Sequence, residues 1–254
     1  MKRRLIAAIL VAALLPWPLL IAGDHWWAFI LVTAAIMGVL RLLLGRQWPV
    51  FAGLGLSRTH AVLSIAAFAS IAAASAILLH HVYAAAGLRV TAPALEDRIG
   101  FLFQALNEEI FFRALLIGLL VLFIPSRLAV SIGTALLFAG AHFLLYRFSN
   151  PMHLALSARA LATLFLAGVA MNNLYLACRH IGFSWALHAG WNVVWLPASF
   201  SDAATNRPLY EPQIFDRMLG SPAIVAAACA AAALSFALLA LWRTNGAPNR
   251  AASS

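Results

Sequence analysis

The residues best equipped for chemistry form three short sets. Glu108 and Glu109 stand side by side ahead of Arg113, His142 follows Phe138 by four residues, and His188 precedes Asn192 by four. Each set sits inside an otherwise apolar stretch. A carboxylate with an imidazole can take a proton from water, and an imidazole with a carboxamide can donate hydrogen bonds to a carbonyl oxygen that is gaining negative charge. Such residue types suit hydrolysis. Charges at the centre of a bilayer cost about 2.5–3.5 kcal/mol each on insertion scales, so ionisable residues there are functional candidates.

Helical spacing puts Glu109 and Arg113 on one face, where they can pair, and turns Glu108 away by about 100°. His188 and Asn192 share a face for the same reason. A buried ion network that only knits helices together is an adequate account of Arg113, and either histidine alone could be a hydrogen-bonded packing residue. The whole set is harder to explain that way. Asn172 and Asn173 are read as interhelical hydrogen-bonding residues. His25, His60, His80, His81, His153 and His180 fall in loops or near span ends and are given no role.

The elements that position these groups must be helices in lipid. Of the 254 residues, 64% are hydrophobic and 10% charged, with a mean hydropathy of +0.91, which leaves too little polar surface to cover a soluble globule. Apolar runs of about 20 residues recur, and the alternation of barrel strands is missing. The predicted class is an all-α polytopic membrane bundle of about eight transmembrane helices, forming a single integral membrane domain over residues 1–254. The spans are predicted at 4–23, 26–44, 61–87, 99–124, 127–146, 157–179, 183–200 and 221–242. Segments 45–60, 88–98 and 201–220 are predicted as loops, and the small polar residues from Gly246 as a disordered tail.

The net charge of +9 does not point to nucleic acid, because the basic residues form no continuous patch and instead sort by side of the membrane. With the N-terminus inside, the inner segments hold ten basic residues and no acidic one, whereas the outer segments mix six arginines with Asp24, Glu96, Asp97, Asp202, Glu211 and Asp216. Both termini are therefore predicted to be cytoplasmic, in a bacterial inner membrane. The basic residues Lys2 to Arg4 ahead of an apolar run resemble a signal peptide. Ile21, Ala22 and Gly23 make a poor cleavage site, so a retained anchor is predicted. Cys178 and Cys229, one thiol in each of two spans, read as packing residues without a disulfide framework.

In order and spacing, Glu108-Glu109-x-x-x-Arg113, Phe138-x-x-x-His142 and His188-x-x-x-Asn192 resemble the motifs of the CPBP family, the CAAX prenyl endopeptidases and bacteriocin-processing or immunity proteins. The resemblance runs from about Phe101 to Pro197, within a core of about 99–200, and Gly168, Tyr175 and Gly182 fall where similar residues are expected. Ala114 departs from the glycine that commonly follows the arginine, a change that bears on packing more than on chemistry.

The resemblance implies an intramembrane endopeptidase acting on a membrane-associated peptide or protein, lipidated or not, in C-terminal processing, peptide maturation or bacteriocin self-immunity. By the same resemblance, Glu108 and His142 hold and deprotonate the water, His188 and Asn192 donate to the oxyanion, and Glu109 with Arg113 supports the site. Glutamate-type chemistry of this kind uses no cofactor. The alternative is a zinc ion on Glu108 and the two histidines, although asparagine is a poor zinc ligand and no His-Glu-x-x-His helix occurs. A proton-relay transporter and a catalytically silent scaffold are the rivals outside peptide hydrolysis. The predicted boundaries leave one difficulty, because they separate His142 from His188 by roughly 12 Å in depth.

Overall fold

Lipid offers the backbone no hydrogen-bond partner, so an apolar run that enters it must satisfy its peptide groups within its own helix. The computed structural model describes residues 58–91, 94–148, 156–195, 199–205, 207–209 and 211–245, with isolated positions at 6, 31, 34, 35 and 38. Those isolated positions apart, the predicted spans 4–23 and 26–44, the loop over 45–57 and the tail from 246 lie outside the described residues.

Seven α-helices follow along the described residues: α1 (Arg58–Ala85), α2 (Leu95–Glu109), α3 (Arg127–Phe148), α4 (Ala158–Cys178), α5 (Gly182–Trp195), α6 (Glu211–Leu219) and α7 (Pro222–Asn245). From its last residue α2 continues as a π-helical segment, Ile110–Ile117, and ends in one α-turn, Gly118–Leu120. Among the described residues, four helices are long and apolar enough to cross a membrane, over Thr59–Ala85, Arg127–Arg147, Ala158–Cys178 and Pro222–Leu241. Val62, Ile65, Leu136 and Leu241 are each more than half exposed on them, a surface that lipid accommodates and water does not. The chain is an all-α integral membrane protein.

Within the bundle α4 lies between α3 and α7, and α5 lies along α1. Two glycines set these spacings. A Cβ on Gly168 would stand 3.2 Å from the Ala135 backbone, and one on Gly190 would stand 2.9 Å from Ile71 Cγ2 and 3.2 Å from the Ala72 nitrogen. Helix α4 begins at Ser157, whose hydroxyl accepts the Ala160 N–H. It ends at Arg179, held in the left-handed region at φ 59°, with its N–H bonded to the Tyr175 carbonyl.

Three short features depart from the predicted loops and spans. Helix α5 stops at Trp195 rather than running to 200, and Pro197 in the sequence is the natural obstacle, since it offers no N–H and disfavours helix in the residue before it. The segment after it forms β2 (Ser199–Asp202), which pairs antiparallel with β1 (Leu88–Thr91) and with β3 (Pro208–Leu209). Leu88 faces Asp202 and Thr91 faces Ser199, so the small sheet ties the end of α1 to the end of α5 at one side of the bundle. Strands of two to four residues are too short to leave a periodic signal. Helix α6 is amphipathic: Ile214, Met218 and Leu219 are buried while Arg217 is exposed.

Candidate active site

Helix α2 becomes buried at its C-terminal end. Asn107, Glu108 and Glu109 are buried, and so is every residue from Phe111 to Ile117. A helix buried on all sides sits at the centre of its bundle, and π-helical segments recur at functional sites. Charges placed there need partners, because a stranded one is costly.

Arg113 supplies the first partner and is itself completely buried. Its Nη1 donates to Glu109 Oε1 at 2.9 Å and its Nε to Asn172 Oδ1 at 3.0 Å. The orientation of Asn172 follows from its other contacts, since Nδ2 donates to the Ser131 carbonyl and to Thr134 Oγ1, both at 2.8 Å. The amide oxygen is left facing the guanidinium. Asn173 makes the neighbouring link, accepting from Ser131 Oγ at 2.8 Å and donating to Ser235 Oγ at 3.1 Å. Both asparagines therefore join helices, as the sequence reading expects.

His188 stands between the two carboxylates. Its Nδ1 donates to Glu109 Oε1 at 2.9 Å, and its Nε2 lies 3.7 Å from Glu108 Oε2. Glu109 is thus more than Arg113's counter-ion, because the same oxygen orients a histidine. Helical spacing correctly separates Glu108 from the Arg113 pair, yet both glutamates reach one imidazole from α5. Glu108 Oε1 accepts from Gln104 Nε2, one turn earlier, at 3.2 Å. Among the described residues, Glu108 Oε2 has no hydrogen-bond partner.

His142 bonds through Nδ1 to the Phe138 carbonyl at 2.9 Å. A carbonyl only accepts, so Nδ1 carries the proton and the neutral ring keeps an Nε2 lone pair. The Phe138 ring is the floor on which the set assembles, with centroids 4.5 Å from His142 and 6.0 Å from His188 and the Arg113 guanidinium 5.0 Å away. The expected depth gap closes. Helix α3 runs on to Phe148 and α5 ends at Trp195, so His142 and His188 lie six and seven residues from helix ends on the same side.

Glu108, His142, His188 and Asn192 line one cavity of about 330 Å³, together with Gln104 and Phe138. Residues from α1, α4 and α7, such as Ile71, Leu164 and Ile224, make most of its wall apolar. Both imidazoles have Nδ1 engaged, as histidine ligands of metals also do. Among the described residues, however, no three His, Cys, Asp or Glu side chains are grouped so as to share a metal ion.

Residues 95–194, which hold all three motifs, match the family model described as Rce1-like, type II CAAX prenyl endopeptidase. The matched segment makes up 100 of the chain's 254 residues, and over it the chain is similar to the Rce1-like family. The similarity supports a CAAX-type protease in general character, and the matched segment takes in helices α2 to α5 as far as Val194. Comparison with curated proteins and with solved structures gave no match.

All six residues singled out in the sequence, Glu108, Glu109, Arg113, His142, His188 and Asn192, are drawn together around the Phe138 ring and the cavity. Sequence reasoning missed Gln104 as the clamp on Glu108 and Thr134 as the second anchor of Asn172. Gln104 is legible at i−4 from Glu108. Thr134 has no sequence signal, because its contact depends on how α3 meets α4.

Proposed function

We propose that this chain is a glutamate-type intramembrane endopeptidase that hydrolyses a peptide bond in a membrane-associated protein or peptide, without a metal cofactor. The observation that carries the reading is the position of Glu108: it lines the cavity shared with His142 and Asn192, and its buried Oε2, 3.7 Å from His188 Nε2, has no hydrogen-bond partner among the described residues. A water held by Glu108 and the His142 Nε2 lone pair gives its proton to the carboxylate as its oxygen bonds to the substrate carbonyl carbon. The carbonyl electrons move onto oxygen, and this oxyanion takes hydrogen bonds from Asn192 Nδ2 and from His188.

For His188 to donate through Nε2 while Nδ1–H is held by Glu109, the ring works as an imidazolium. The site then holds two carboxylates, one guanidinium and one imidazolium, a set without net charge that an apolar bundle can enclose. When the tetrahedral intermediate collapses, the carbon–nitrogen bond breaks and the proton on Glu108 passes to the leaving amine. The apolar wall favours a substrate segment that arrives from the bilayer, lipidated or not, and the arginine distribution favours cytoplasmic termini.

The test uses purified protein and a labelled library of membrane peptides. Cleavage should disappear in Glu108→Ala and in His142→Ala, and should survive exhaustive chelation. Unchanged cleavage in both variants overturns the assignment, and activity lost on chelation and restored by zinc moves the chemistry to a metal.

A further inference from the structure

A second cavity, of about 440 Å³, lies at the side of the bundle where α1 ends and α7 begins. Leu78, Val82, Ile214 and Met218 contribute to its apolar lining, and two side chains able to bind an anion, His81 and Arg217, face it as well. Among the described residues, no acidic side chain lines it. The nearest acid along the chain is engaged elsewhere, since Asp216 Oδ1 accepts the Ser157 N–H at 2.6 Å. None of the ion pairs among the described residues includes Arg217.

An exposed guanidinium beside an apolar hollow is the chemistry of a site for an amphiphile with an anionic head. The location selects its source. Helix ends mark the boundary of the bilayer, and the amphipathic α6, with Ile214 and Met218 turned inward and Arg217 outward, has the pattern of a helix lying along that boundary. We propose that this cavity binds an anionic phospholipid, its phosphate held by Arg217 with an N–H of His81 and the start of an acyl chain against Leu78 and Val82. Leu78 also lines the catalytic cavity, so a lipid seated here forms part of the wall past which a substrate segment moves. The lipid site does not depend on the peptidase reading.

The experiment is native mass spectrometry of the full chain, released from detergent micelles titrated with phosphatidylglycerol or with phosphatidylcholine of the same acyl chains. Phosphatidylglycerol should bind at least about fivefold more tightly, the effect expected of one fixed basic charge at a membrane surface. Arg217→Gln should remove most of that preference, Arg217→Lys should keep it, and Arg179→Gln, an exposed charge change at the far end of α4, should leave it intact. Equal binding of the two lipids, or a preference unchanged in Arg217→Gln, overturns the proposal. So does an equal loss in Arg179→Gln, which would mean that the lipids answer to overall surface charge.

Discussion

Removing Arg113 tests whether the buried charges are organised as described. Arg113→Met keeps much of the side chain's length and takes away the guanidinium, which is fully buried and bonds to Glu109 at 2.9 Å and to Asn172 at 3.0 Å. Breaking one side of a buried ion pair costs about 3–5 kcal/mol, because the other charge is stranded. His188 also donates to Glu109 Oε1 and softens the loss, so the expected cost is near the low end, about 3 kcal/mol. Glu109→Gln strands the arginine instead and should cost a similar amount. The double variant strands neither charge and should also cost about 3 kcal/mol rather than about 6, a coupling of about 3 kcal/mol. The assay is reversible unfolding in mixed dodecyl sulfate micelles, followed by circular dichroism, for the four proteins of the cycle. Additive single effects, or a cost below about 1 kcal/mol for Arg113→Met, would refute the reasoning.

Other expectations concern the cavity and the helices around it. Asn192→Ala should lower kcat by about 10²–10³-fold with little change in KM, as loss of a transition-state hydrogen-bond donor does, in steady-state cleavage of a labelled membrane peptide. Gly190→Val should destabilise the fold by about 1–3 kcal/mol, and Gly190→Ala by less, because the new atoms meet Ile71 and the Ala72 backbone and push α5 off α1; thermal denaturation in detergent reads this directly. The Asp202 carboxylate accepts the Thr205 N–H at 2.7 Å, the Thr205 hydroxyl at 2.9 Å and the Ala204 N–H at 3.0 Å, which hold its pKa below the usual carboxylate value. A lowered folded-state pKa means that this support is complete above the ordinary carboxylate range and is lost as pH falls through the lowered value. Amide exchange at Ala204 and Thr205, corrected for intrinsic rates, should therefore be constant between pH 5 and 8 and accelerate below about pH 4.

What the sequence determines here is the solvent and the inventory. Apolar runs of spanning length require helices in lipid, and the described helices α1, α3, α4 and α7 begin and end within a few residues of the predicted spans, because hydropathy over about 20 residues is a property of the chain itself. The cost of charge in lipid also singles out Glu108, Glu109 and Arg113 before any contact is known. The i to i+4 pairing of Glu109 with Arg113 is equally local, and it is present. Contacts between helices are another matter. That Glu109 also orients His188, that Asn172 holds Arg113, and that one phenylalanine ring seats both histidines depend on where α2, α3, α4 and α5 cross, which glycines such as Gly168 and Gly190 set through close approach. The shortness of α5 belongs with these: residues 196–200 are apolar enough to extend a span, yet the chain leaves the helix and pairs β2 with a strand more than a hundred residues earlier. That pairing, like the meeting of His188 and His142 at Phe138, exists only in the assembled bundle.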